Sequence, residues 1–197
     1  SSLQIKDIGS GLVGFKLVKS YEGPEIAHKI SEFIGTQTFK KAYSDGHSSL
    51  RDAVKIIGVK RIHTHECSAP GAPASNPIIE RENYLAHDCI RAALVTAGMP
   101  LCFWSFAGPC CAFNRNCEFR GENLPPYVTV HGDMKFSRFA FGQAVLFKPA
   151  TTIYKYEAKV EARLKHGVFL GYDTTDSQRF TGQFLVAELS EFKGKVL

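Results

Sequence analysis

The stretch NPIIERENY, Asn76 to Tyr84, decides how this chain is read. It follows CSAPGAPASNP, a segment too rich in Pro, Gly and Ala to be regular, and it opens a run that reads as helix from about Ile79 to Ala97. Gly98 and Pro100 end that helix. Glu80 stands at its head beside Arg81, with Asn83, Tyr84 and His87 one or two turns further on. A carboxylate in a first turn favours the helix dipole, so spacing alone fits a capping charge as well as a metal ligand. The loop ahead of it is longer than most connections in a compact domain, which favours a functional role.

Upstream, residues 3–7 and 12–18 read as two strands joined by a glycine turn. Pro24 opens a helix in which Ile26, Ile30, Phe33 and Ile34 recur at helical spacing, and Gly35 ends it. Residues 38–44 form a strand that stops at Asp45-Gly46. Ser48 or Ser49 caps a second helix with Leu50, Val54 and Ile57 on its apolar stripe, closed by Gly58; VKRIHTH follows as another strand. The order β-β-α-β-α-β implies an α/β fold with a mixed sheet.

Downstream, a second helix is expected from Leu101 to Asn114, with Phe103, Trp104, Phe106 and Phe113 as core residues. After Pro125-Pro126 the character changes. Residues 135–165 hold seven Lys/Arg against two acids, interleaved with Phe136, Phe139, Phe141, Phe147, Tyr154 and Tyr156. Such a mixture suits nucleic acid, through phosphate contacts and stacking, and equally suits a charged face over a small β-rich core. GVFLGYD and GQFLVAEL read as two strands near the end.

At 197 residues, 44% hydrophobic and 22% charged, the chain can bury one substantial core and is not disordered. A net charge of +5 permits a polyanionic partner without requiring one. No apolar run is long enough to span a bilayer. The six cysteines are irregularly spaced and read as reduced thiols of an intracellular protein. His63, His65 and Cys67 alternate on one strand face as a conceivable zinc trio, but strand-end side chains explain them better.

Two carboxylates have chemical potential. Asp45 lies just past the C-terminal end of a strand, the edge of an open α/β sheet where ligands gather. Glu80 follows with 34 residues between them. Acids at a strand tip and on a packed helix can converge on Mg²⁺, which takes one or two carboxylates plus phosphate oxygens and water. By residue type alone, Asp45-Gly46 is also good turn chemistry.

Several motifs in order carry a resemblance. Asn76-Pro-Ile-Ile-Glu80-Arg81-Glu-Asn83 resembles the N-G-V-A-E-R-x-N motif of copia-type retrotransposon integrases. AGMPLCFWSFAGPCCAFNRN, PPYVTVHGDMKFSRFAFGQAVLFK and HGVFLGYD are similar to later motifs of the same family, and the matches run from about Ser44 to Tyr172. The resemblance implies a ribonuclease H-like core, a mixed sheet flanked by helices, over residues 1–130, with a C-terminal β-rich region of the polyprotein over 131–197. It implies DNA integration by phosphoryl transfer, with 3′-end processing and strand transfer at an Asp-Asp-Glu site holding two Mg²⁺ (or Mn²⁺) ions. Carried over, Asp45 matches the second Asp and Glu80 the Glu, as catalytic residues and metal ligands. Arg81, Asn83, His87 and Arg91 then lie near DNA on the helix that Glu80 opens, and residues 66–77 form its active-site loop. Element ends and target DNA are the implied partners, in a homo-oligomer working in the nucleus and in cytoplasmic retroelement particles.

The match departs from the family in places. QIKDIGSGLVGFKLVKS aligns with the second and third core strands, so the first strand and its Asp are expected upstream of Ser1. Asp7 could serve as the third ligand only in a fold that had lost a strand. The family's N-G after the second Asp is here Gly46-His47, serines replace a nearby Glu, and the Gln before N-G-V is absent. These departures favour weak or no catalysis by this chain alone, or a decayed or co-opted module that binds nucleic acid without catalysis.

Overall fold

A computed structural model describes residues 1–68, 76–149 and 163–193. Strands β1 (Ser2–Lys6) and β2 (Val13–Leu17) form an antiparallel ribbon. The Asp7 carboxylate holds the turn between them, accepting from the backbone N–H groups of Gly9 and Ser10, both at 3.1 Å, and from the Ser10 hydroxyl. Helix α1 (Gly23–Ile34) begins at a proline, whose missing N–H costs nothing there, and buries Ile26, Ala27, Phe33 and Ile34. It comes close to β2 because Gly14 has no side chain: a Cβ there would meet the Phe33 ring at 2.6 Å.

Strand β3 (Phe39–Ser44), helix α2 (Ser48–Ile57) and strand β4 (Ile62–Cys67) form a crossover unit with β3 and β4 parallel. Neither Ser48 nor Ser49 caps α2. His47 does so, its Nδ1 accepting from the Ser49 N–H at 3.3 Å. β4 starts three residues later than the apolar pattern suggests. Gly58 turns the chain at φ 81°, and its carbonyl accepts from the N–H groups of both Arg61 and Ile62.

Helix α3 (Pro77–Ala97) is followed by a single 3-10 turn at Leu101–Phe103 and by α4 (Trp104–Asn116), which continues through Pro109. Helix α5 (Pro126–His131) precedes a three-stranded antiparallel sheet of β5 (Ala144–Phe147), β6 (Lys165–Thr174) and β7 (Phe180–Glu188). The expected order β-β-α-β-α-β is present, but the single mixed sheet is not. β1–β2 and β3–β4 stay separate pairs, because no strand among the described residues bridges β1 and β3.

The main core lies where α3, α4, β2 and β6 meet, around Phe113, Ile90, Leu94, Phe15, Phe169 and Tyr172. Gly108 admits the Phe15 ring against α4, in space a Cβ would occupy. Buried Asn116 fastens α4 to β2 at both polar groups of one residue: its Nδ2 donates to the Val13 carbonyl at 2.7 Å, and its Oδ1 accepts from the Val13 N–H at 2.8 Å. Asn114, Phe139 and Tyr172 form a second knot, with the Tyr172 hydroxyl donating to Asn114 Oδ1 at 2.9 Å and accepting from the Phe139 N–H at 2.8 Å.

Among the four aromatics of the α4 region, Phe113 is buried and Phe103 and Trp104 pack against the core. Phe106 is 41% exposed, outside the core role expected of it, since it sits on the outer side of α4. Phe136, Phe139 and Phe141 also join the core, which favours the packing reading of the basic, aromatic segment over a stacking platform. Tyr154 and Tyr156 lie outside the described residues.

Candidate active site

β3 ends at Ser44, and Asp45 follows in the turn that leads to α2. Asp45 is exposed, and its Oδ1 accepts from the His47 N–H at 3.1 Å, a bond that fixes the turn. Next to it, at the end of the parallel pair, polar side chains from both strands cluster, and Ser44 Oγ donates to the Asp45 carbonyl at 2.8 Å. Ser44 Oγ lies 2.9 Å from His65 Nε2, and Cys67 Sγ lies 3.7 Å from the same nitrogen. The register explains the grouping: Ser44 pairs with Cys67 and Ala42 with His65, so Ser44, His65 and Cys67 project from one face. Burial lowers the His65 pKa, and the nearby Arg51 guanidinium adds to the effect. On the other flank Tyr21 packs edge-on against His47 at 5.0 Å, and burial, then the Asp45 charge, raises its phenol above the usual value.

Glu80 occupies the first turn of α3, whose Pro77 sits at the helix start, and its side chain is exposed. Arg81, Asn83 and His87 are also exposed. So is Arg91, whose Nη1 donates to Asp88 at 2.6 Å. Together with Tyr84, 67% exposed, they make a polar strip down the outer side of α3, in which Arg81 and Arg91 are balanced by Glu80 and Asp88. Asp7 is engaged in its own turn, as described above. Most of the segment 66–77 lies outside the described residues.

Glu82, two residues beyond Glu80, faces the opposite way and is the residue that sequence reasoning passed over. Its side chain is 7% exposed and holds Lys6 of β1 at 2.7 Å and Arg115 of α4 at 2.8 Å. Burial alone would push its carboxyl up. The hydrogen bond from Lys6 and the charge and bond of Arg115 outweigh that and leave its pKa below the usual value. The signal was present in the spacing: Glu82, Ala86, Ile90 and Leu94 recur every four residues, which places an acid within the apolar stripe of α3.

Exposed carboxylates of this kind offer hard oxygen ligands, and two of them fit Mg²⁺ or Mn²⁺ by donor type. His65 and Cys67 offer the softer donors of a zinc site. Among the described residues, no group of three or more His, Cys, Asp or Glu side chains converges as a cation site.

Neither a family model nor a curated protein matches this chain. Solved structures do. A chain of the cryoEM structure of the simian T-cell lymphotropic virus intasome in complex with PP2A regulatory subunit B56 gamma aligns over 95% of this chain and 76% of its own. The alignment has a TM-score of 0.50 and 11% identity. The catalytic core domain of BIV integrase aligns over 64% of this chain and 82% of its own, with a TM-score of 0.48 and 19% identity. What is shared is the fold. The chain is a mixed α/β structure similar in fold to a chain of that intasome at low identity, with a C-terminal β region in place. No helix among the described residues is long and apolar enough to cross a membrane.

Proposed function

We propose that this chain is the ribonuclease H-like core of a copia-type integrase, part of a longer polyprotein, that acts on DNA by phosphoryl transfer. Residues 1–130 form the core in this reading, and residues 131–197 a β-rich region docked on α4. The observation that carries it is the placing of two exposed carboxylates, Asp45 at the C-terminal end of β3 and Glu80 in the first turn of α3, on an integrase-like fold. Both would be metal ligands, with Asp7 as the less favoured third and an Asp from an upstream strand as the favoured one. Mg²⁺ or Mn²⁺ held there supplies a lowered nucleophile pKa and charge stabilisation at the leaving oxygen.

The chain's own residues position the DNA. Arg81 and Arg91 would meet phosphates, and Asn83 and His87 would donate to backbone or base edges. The His47 N–H bond to Asp45 Oδ1 fixes that carboxylate and leaves Oδ2 to face a ligand. DNA ends and target DNA are the proposed partners, in a homo-oligomer found in the nucleus and in cytoplasmic particles.

The test has two parts. Mn²⁺ binding to the 197-residue chain, read by electron paramagnetic resonance, should weaken about tenfold or more in Asp45→Asn and Glu80→Gln, a loss of about 1.4 kcal/mol. Melting should stay unchanged, because both side chains are exposed. The chain extended by its upstream coding sequence should join DNA ends in Mg²⁺, and both substitutions should abolish the joining. Joining that survives either substitution sinks the assignment.

A second reading is a nucleic-acid-binding module without catalysis. Ser44, His65 and Cys67 favour it, since the cluster they form at the end of β3, next to the Asp45 turn, is less suited to Mg²⁺ than carboxylates are. It expects salt-sensitive DNA binding that needs no divalent ion and survives both substitutions.

A further inference from the structure

Strands β3 and β4 end side by side, and their last residues bring three donor atoms of different chemistry together. The parallel register pairs Ser44 with Cys67 and sets His65 two residues before Cys67, so the three side chains leave one face of the pair. Ser44 Oγ, His65 Nε2 and Cys67 Sγ mark a triangle. Its edges are 2.9 Å from oxygen to nitrogen, 3.7 Å from nitrogen to sulfur and 3.9 Å from oxygen to sulfur. All three residues are half-buried, so the cluster is shaped by the protein and still reached by solvent.

Those edges fit the span of one tetrahedral zinc ion. With Zn–N about 2.0–2.1 Å and Zn–S about 2.3 Å, a nitrogen and a sulfur on the same ion stand about 3.5 Å apart. An oxygen ligand stands about 3.4 Å from the nitrogen and about 3.6 Å from the sulfur. The His65–Cys67 edge is therefore close to the required span as it stands, and the Ser44 oxygen has only to draw back from the imidazole by about 0.5 Å. The Ser44 proton is directed to the Asp45 carbonyl at 2.8 Å, which leaves an oxygen lone pair for an ion. Imidazole nitrogen and thiolate sulfur select zinc over magnesium. The thiolate charge also offsets the Arg51 guanidinium, which stands near His65. His63 shares the strand face but lies about 7 Å back from His65 along β4, so Ser44 of the neighbouring strand supplies the third donor in its place.

We propose that Ser44, His65 and Cys67 form a zinc-binding site at the end of the β3–β4 pair, separate from the carboxylates assigned to Mg²⁺. The imidazole and the thiolate are its principal ligands, the Ser44 hydroxyl is the third, and a water completes the tetrahedron. Binding replaces the Cys67 S–H bond with an S–Zn bond, and the proton passes to solvent. The site does not depend on the carboxylate reading, so a failure of DNA joining leaves it intact.

Cobalt(II) is the probe, because a thiolate bound to it gives a charge-transfer band in the near ultraviolet that zinc lacks. Titration of the 197-residue chain, kept reduced with a phosphine, should raise this band to saturation at a single ion per chain, and Zn²⁺ should then displace it. Cys67→Ser should remove the band. His65→Gln should weaken cobalt binding at least about tenfold, since even a group that only supports a ligand matters that much. Cys102→Ser, which changes an exposed thiol elsewhere, and Glu80→Gln should both leave the titration as in the wild type. Thermal melting of each variant establishes that it is folded, and His65→Gln carries the test if Cys67→Ser is not. The proposal is overturned by a wild type that shows no band at millimolar cobalt, by a band that survives Cys67→Ser, or by an affinity that His65→Gln leaves unchanged. Loss of the band in Cys102→Ser or Glu80→Gln overturns it too, because the ion would then sit elsewhere.

Discussion

Removing the Glu82 carboxylate should cost more stability than any other single charge change among the described residues. Its two partners come from different elements, Lys6 from β1 and Arg115 from α4, at 2.7 and 2.8 Å. Glu82→Ala leaves both cations facing one another with no counter-charge. Losing one partner of a buried pair costs about 3–5 kcal/mol. The Lys6 and Arg115 side chains are 21% and 18% exposed, so water relieves part of the penalty and the lower end applies, about 3 kcal/mol. For a chain of this size that corresponds to a melting-point fall of roughly 6–12 °C. Glu82→Gln keeps the shape and one acceptor and should lose about 2 kcal/mol.

The pH dependence has a definite sign. The folded carboxyl is held below its ordinary value of 4.5, so its contribution is fully present above that value. It disappears as the pH falls through the folded pKa. Urea unfolding of the wild type and Glu82→Gln from pH 7 to pH 3 should therefore show a gap that closes in acid. A gap below about 1 kcal/mol at pH 7, or one that widens in acid, would refute the reasoning.

Two other predictions concern the polar ties of the core. Asn116→Leu deletes both bonds to Val13 and strands a buried N–H and C=O, so urea unfolding should show a loss of about 2–4 kcal/mol. Burial, opposed by the bond that the Phe139 N–H donates to the phenol oxygen, raises the Tyr172 hydroxyl to about 12, so its contribution is whole below the usual value of 10.0 and is lost as the pH rises through 12. Tyr172→Phe should lose about 1–2 kcal/mol at pH 7 by the same measurement, and its difference from the wild type should shrink above pH 10.

The sequence made the order of elements legible because apolar periodicity and glycine stops agree over β1, β2, α1, β3 and α2. It mislocated the cap of α2 because an imidazole can accept a bond as a serine hydroxyl does, and residue preference favours serine. It could not reveal that the sheet is divided, since strand pairing over long separations leaves no local trace. Asp45 and Glu80 stood out as candidate ligands through motif order rather than spacing, and both are exposed, just past the end of β3 and in the first turn of α3. Glu82 was read by its neighbours in sequence, not by its place on the helix face, so its structural role went unseen.

The stacking of Tyr172 on Phe113, with ring centroids 4.2 Å apart, bears on how the polypeptide can be dissected. Phe113 belongs to α4, and α4 supplies the Arg115 that grips α3 through Glu82. A chain cut near residue 130 would keep every candidate ligand but lose the aromatic roof above α4, opening a wet face of Phe113 and Cys110. Such a fragment would come out of a cell as aggregate, and its silence in any assay would say nothing about Asp45 or Glu80. The unit that can be expressed whole reaches at least to β7.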